Sequence, residues 1–168
     1  LVEWGGFISK IDLVRPLAAI VSQGTATIKG TWSFDCETGT IMAPDVIRDI
    51  WWEQMTATER RMTPKGTAKI VNLGVVDFNA VTPASLQSYD YTTTPINGNN
   101  DASNKLVAND VFCVKTREGN YCKLQVVTYG YDLVVKWVTY KLAPAYAHIG
   151  TGYTQLEDIA VTVDESTA

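Results

Sequence analysis

Residues 110–140 read Asp110-Val-Phe-Cys113-Val-Lys-Thr116-Arg-Glu118-Gly119-Asn-Tyr121-Cys122-Lys-Leu124-Gln-Val126-Val-Thr128-Tyr-Gly130-Tyr-Asp132-Leu133-Val-Val135-Lys-Trp137-Val-Thr-Tyr140. Three apolar runs separated by two Gly-containing turns predict a β-meander, with strands at 110–116, 121–128 and 133–140. In the middle run Cys122, Leu124 and Val126 alternate with Lys123 and Gln125, the period of a half-buried strand. In the third, Leu133, Val135 and Trp137 share one face. A two-residue turn at Glu118-Gly119 would set Cys113 opposite Leu124 and put Cys113, Cys122 and Val126 on a common face.

Working outward, residues 25–35 alternate Thr27, Lys29, Thr31 and Ser33 with Ile28, Trp32 and Phe34, a strand with a bulge expected at Gly30. Cys36 to Gly39 reads as a turn, with a returning strand at 40–42. Between 45 and 62 the pattern fits a helix or a strand. A strand at 49–55 is favoured, because Trp51 and Trp52 then serve two faces. Residues 69–76 form a further strand. Thr82-Pro83 opens a short helix, with Thr82 as its cap. Residues 89–104 are a polar loop, and 156–163 a last strand. Many short strands with Gly/Asn turns predict a single all-β domain over 1–168, an antiparallel β-sandwich or open barrel with at most one or two short helices.

Composition narrows the function classes. The formal net charge is −4, which argues against a nucleic-acid binder. No apolar run approaches a membrane span. Charged residues are 19% of the chain, and Tyr, Trp, Thr and Asn fill the gap, a mixture common on secreted binding surfaces. The chain begins at Leu1 with no basic-plus-apolar leader, as expected of a processed or shortened chain; processing fits export to the medium or cell surface. The odd set Cys36, Cys113 and Cys122 has no zinc spacing, and small buried hydrophobes are the expected role of Cys113 and Cys122.

Two segments resemble the HmuY-like haem-binding proteins that some bacteria export. One is Val111–Thr116 with Glu118–Val126, an apolar strand, an acidic-Gly turn and an aromatic-x-Lys strand. The other is Phe34–Gly39 followed by Asp49-Ile50-Trp51-Trp52. The resemblance implies an all-β fold and an exported binding protein. It also implies haem held between two axial side chains, often His. Here His148 is the one histidine, Met42, Met55 and Met62 are the other donors, and none matches a family ligand by motif.

No nucleophile elbow or triad accompanies His148, which stands in a Tyr- and Gly-rich stretch. Asn97, Asn99 and Asp101 place oxygens at alternate positions, as at the start of a calcium loop. Ala102 and Ala108 stand where that loop needs its Gly and its bidentate Glu, so a polar turn is the simpler expectation. Asp35 with Glu37, or Glu53 with Glu59, would need a defined separation across a cleft to act as a glycosidase pair. Arg60, Arg61 and Lys65 are expected in a solvated turn. The expected ligand set is Trp52, Tyr89, Tyr91, Asn97, Asn99, Asp101 and His148. Aromatic rings would stack on the C–H faces of a sugar while amides and carboxylates take its hydroxyls. The expected function is thus a non-enzymatic, exported, lectin-like module. Its partner would be a glycan or other small ligand, with no cofactor read from the residues. Haem or tetrapyrrole binding is the first alternative. A homo-oligomeric, self-assembling surface protein is the second.

Overall fold

Alternation along the meander dictates the core of the molecule, and the computed structural model shows where each face lies. It describes residues 12–14, 18–98, 105–142, 146–149 and 152–155 of the 168. The chain divides into two compact units, taken separately below.

The larger unit, Ala18–Lys141, is an antiparallel β-sandwich. Its first sheet is built from β2 (Ala18–Lys29), β7 (Lys69–Val75), β9 (Asp110–Lys115), β10 (Tyr121–Thr128) and β11 (Asp132–Leu142), in the order β2-β11-β10-β9-β7. The second sheet holds β3 (Ser33–Asp35), β4 (Thr40–Ile41), β5 (Ile50–Gln54), β6 (Arg60–Pro64) and β8 (Ile96–Asn97), in the order β4-β3-β5-β6-β8. The smaller unit carries a three-stranded sheet, β1-β12-β13, from Asp12–Val14, Tyr146–Ile149 and Gly152–Gln155. His148 therefore lies in a strand, opposite Asp12 and Tyr153, and not in a loop. The strand expected at 156–163 falls outside the described residues.

The core of the sandwich is made by inward residues of both sheets. Phe112, Leu124 and Val135 face Phe34, Ile50 and Trp52, and the Phe34 and Trp137 rings meet edge to face with centroids 5.1 Å apart. The expected strand at β5 is present, and Pro44–Arg48 closes as a turn in which the Ile47 and Arg48 amides both donate to Pro44 O. Trp52 points inward and Trp51 outward, where Lys65 Nζ sits 4.2 Å from the Trp51 ring centroid. Thr82 caps α1 (Pro83–Leu86) in a capping box with Ser85.

The hairpin register differs by one residue from the two-residue expectation. Thr116 and Asn120 close a three-residue loop, with Thr116 N donating to Asn120 O at 2.9 Å. A two-residue type I′ turn needs positive φ at both central residues. Among the described residues Gly119 has φ +83°, whereas Glu118 does not enter that region. The chain therefore turns through Arg117-Glu118 and places Gly119 as the left-handed bulge residue. A one-residue slip reverses a strand's faces. Cys113 consequently pairs with Lys123, not Leu124, and lies on the face opposite Cys122. Cys122 joins Cys36 in the sandwich core, and Cys113 joins a second apolar cluster. All three thiols are buried and free, and burial pushes the Cys36 and Cys113 thiols well up.

A second difference concerns 25–35, which is two strands rather than one bulged strand. Gly30 N donates to Tyr131 O in the first sheet and Thr31 N donates to Trp52 O in the second, each at 2.7 Å. Adjacent amides thus bind opposite sheets, and the chain crosses between them with Thr31 at φ +74°. The Tyr131 ring occupies the space a Cβ on Gly30 would take.

The second apolar cluster explains the fate of Lys123. Phe78, Val81 and Leu86, from the segment around α1, cover Val111 and Cys113 on the outer face of the first sheet. Lys123, on the polar half of the alternation, is only 5% exposed beneath that cover. Its Nζ donates to Phe78 O at 2.9 Å and Val81 O at 2.8 Å. Arg60 to Pro64, expected as a turn, forms β6 with Met62 directed into the core.

Candidate ligand-binding cleft at the sandwich edge

Strands β7 and β8 are edge strands of their sheets, and the segment 90–98 runs between them. Thr92 pairs with Ile70 by two backbone hydrogen bonds, of 2.8 and 2.9 Å. Ile96 then pairs with Met62, and Gly98 N donates to Arg60 O at 2.8 Å. Between these two anchor points the chain bends at Thr93–Thr94, and Thr94 N donates to Thr92 Oγ1 at 3.2 Å. Asp90, Thr92, Thr94 and Ile96 line a cleft of about 360 Å³ together with Ile70, Val71 and Asn72 of β7. Ile70 and Ile96 form a buried apolar floor, and Asp90, Thr92 and Thr94 are exposed at its rim. Asn72 is held in place: its Oδ1 accepts from Gly74 N at 3.0 Å, and its Nδ2 donates to Lys105 O at 3.2 Å. The lining offers one carboxylate, one amide and two hydroxyls over an aliphatic base, a set that can accept and donate to neighbouring hydroxyl groups.

The neighbouring tyrosines pack elsewhere. Tyr89 and Tyr91 pack on the second apolar cluster. Tyr91 Oη donates to Leu86 O at 2.8 Å, and its ring centroid lies 5.8 Å from that of Tyr121. Trp52 is fully buried, with Nε1 donating to Gly130 O at 3.1 Å, so it presents no ring face to a ligand. It is a core residue, and the expected aromatic platform of Trp52, Tyr89 and Tyr91 is corrected accordingly. Asn97 sits on β8, paired with Arg61 and bridged to Lys105. Asn99 and Asp101 lie outside the described residues. Met62 is in the sandwich core, whereas Met42 and Met55 are exposed. The sequence carries no signal for this cleft, because the bridge that brings Thr92 to Ile70 joins positions distant along the chain.

A second polar group lies at another place in the sandwich. Carboxylate oxygens of Asp35, Glu37 and Asp49 fall within 4.8 Å of one another. Asp49 Oδ2 accepts from Cys36 N and Oδ1 from Arg117 N, both at 2.9 Å. Asp35 accepts from Thr38 Oγ1 at 2.5 Å and Glu37 N at 3.2 Å. Burial pushes Glu37 up to about 8, assisted by the neighbouring Asp49 charge, and burial raises Asp49 as well. Asp35 and Asp49 are 2% and 0% exposed, and their oxygens are occupied by the chain's own donors. Glu37, the third member, is half-buried, and its Oε1 accepts from Asn120 Nδ2 at 3.2 Å. Glu53, the other candidate acid, is tied to Arg61 Nε at 2.6 Å and Thr63 Oγ1 at 2.8 Å, and the Arg61 bond holds it below the usual carboxylate range.

Among the described residues no helix is long and apolar enough to cross a membrane. Compared with known protein families, curated proteins and solved structures, the chain shows no match.

Proposed function

We propose that the chain is a non-enzymatic, exported binding module, and that the edge cleft takes a glycan or similarly polyhydroxylated small molecule. The observation that carries this reading is the lining of the cleft, which combines Asp90, Thr92, Thr94 and Asn72 with Ile70 and Ile96. Sugar hydroxyls suit the carboxylate and threonine oxygens, and the C–H face of a ring suits the aliphatic floor. Turnover is not part of the proposal. Export rests on the low charge and the abundance of Tyr, Trp, Thr and Asn.

The test is calorimetric titration with a panel of neutral and acidic mono- and oligosaccharides at millimolar concentration, with and without calcium. Asp90→Ala and Thr92→Val are each expected to weaken binding roughly 5- to 10-fold, the loss of about one hydrogen bond to the ligand. Both side chains are exposed, so thermal stability should be unchanged. Absence of heat with every sugar, or equal affinity in both variants, would overturn the proposal.

A further inference from the structure

We infer that Glu37 and Asp49 form a one-proton latch that joins the two sheets at one end of the sandwich and loosens as the solution becomes alkaline. Glu37 belongs to the β3–β4 turn and Asp49 directly precedes β5, both in the second sheet. Each grips the β9–β10 hairpin of the first sheet. Asp49 Oδ1 accepts from Arg117 N at 2.9 Å, and Glu37 Oε1 accepts from Asn120 Nδ2 at 3.2 Å. Asp49 Oδ2 meanwhile accepts from Cys36 N, so this one carboxylate bonds backbone from both sheets. The other oxygen of Glu37, Oε2, is buried with no donor within hydrogen-bond distance among the described residues, and the nearby Thr116 hydroxyl offsets only part of the cost of its burial. A carboxylate oxygen with no donor is costly to bury, whereas a protonated one donates. The acceptor at hand is Asp49.

The surroundings do not supply a compensating cation. Asp35 faces the pair from β3, Cys36 and Cys122 from the core, and Glu118 from the hairpin. Among the described residues no Lys ammonium or Arg guanidinium nitrogen lies within 4 Å of these carboxylates, and the Arg117 guanidinium bonds to Asp45 O instead. Removing the shared proton therefore leaves two adjacent negative charges in a buried site. The fold favours the protonated form, so the latch contributes fully below the ordinary range of a carboxyl group. That contribution is lost as pH rises through about 8, where Glu37 titrates.

Two measurements on the full chain test this. Carbon-13 titration of the Glu37 carboxyl should give a midpoint near 8; a midpoint in the ordinary carboxylate range overturns the inference. Thermal unfolding of the wild type should show Tm falling by roughly 3–6 °C between about pH 5 and pH 9, the shift that a tenfold loss in the folding equilibrium constant produces in a domain of about 150–250 residues. Glu37→Gln keeps an acceptor for Asn120 and a permanent donor for Asp49, so its Tm should match wild type at the acid end and exceed it at the alkaline end. An equal fall in both proteins overturns the latch. So does a rise in wild-type Tm on adding millimolar calcium that Glu37→Gln abolishes, which would make the group a cation site instead.

Discussion

Trp52→Ala is expected to lower the unfolding free energy by about 3–5 kcal/mol, as for other large-to-small core replacements. Trp52 lies in the middle of the second sheet with no exposed surface, and its indole meets Tyr129 edge to face at 5.9 Å. Gly98 leaves the indole its room, since a Cβ there would come within 2.5 Å of it. Truncation would leave a cavity between the sheets and an unbonded Gly130 carbonyl. Urea denaturation should show a lower midpoint at unchanged slope. Trp52→Phe, which keeps most of the ring, should lose less than half as much and bind any cleft ligand as wild type does. A loss under about 1 kcal/mol in Trp52→Ala would contradict the core placement.

The second large effect is expected at Lys123. Replacing it with Met keeps an apolar stem of similar length but removes both charge-assisted bonds to the carbonyls of Phe78 and Val81. Bonds of this kind contribute about 1.5–3 kcal/mol, and the carbonyls left without a donor add to the loss. Lys123→Met should therefore cost about 2–4 kcal/mol. The loss should appear first in the cover itself, because Phe78 and α1 have Lys123 as their polar anchor to the sheet. Hydrogen exchange should quicken in residues 76–91 while β9 and β10 stay protected. Burial also lowers the ammonium below the ordinary lysine range. Because the unfolded chain holds that proton more tightly, this group makes stability rise with pH through its folded titration range, opposite in sign to Glu37. Uniform exchange across the sheet, or none beyond wild type, would contradict the anchor.

Much of the fold was legible in the residues. The strand at 121–128 matches β10, because its alternation and its flanking turns agree. Thr82-Pro83 announces α1 for the same reason, since cap and first-turn residue point to one start. The errors have a common physical source: a period shows that a strand exists but not what its two faces meet. Alternation continues from Ile28 to Phe34, yet Gly30 and Thr31 carry the chain between sheets. That crossing is set by Tyr131 and Trp52, which are distant in sequence. Lys123 falls on the polar half of β10, yet a segment more than forty residues earlier covers it. The hairpin register differs because a two-residue turn at Glu118-Gly119 needs positive φ at Glu118, which the chain avoids by placing only Gly119 there. At the candidate cleft, aromatic residues drew attention because rings stack on sugars. In the structure the Tyr89 and Tyr91 rings pack on the outer cluster of the first sheet, while the neighbouring Asp90, Thr92 and Thr94 line the cleft.

The central claim is that the segment 90–96 and β7 together hold a polyhydroxylated ligand. Amide chemical-shift mapping during a millimolar glycan titration tests it most directly. The account predicts saturable shifts concentrated at Asn72, Asp90, Thr92 and Thr94, with β10 and β11 unmoved. Shifts centred on the Trp51 face near Arg48 and Lys65, or none with any glycan, would contradict it.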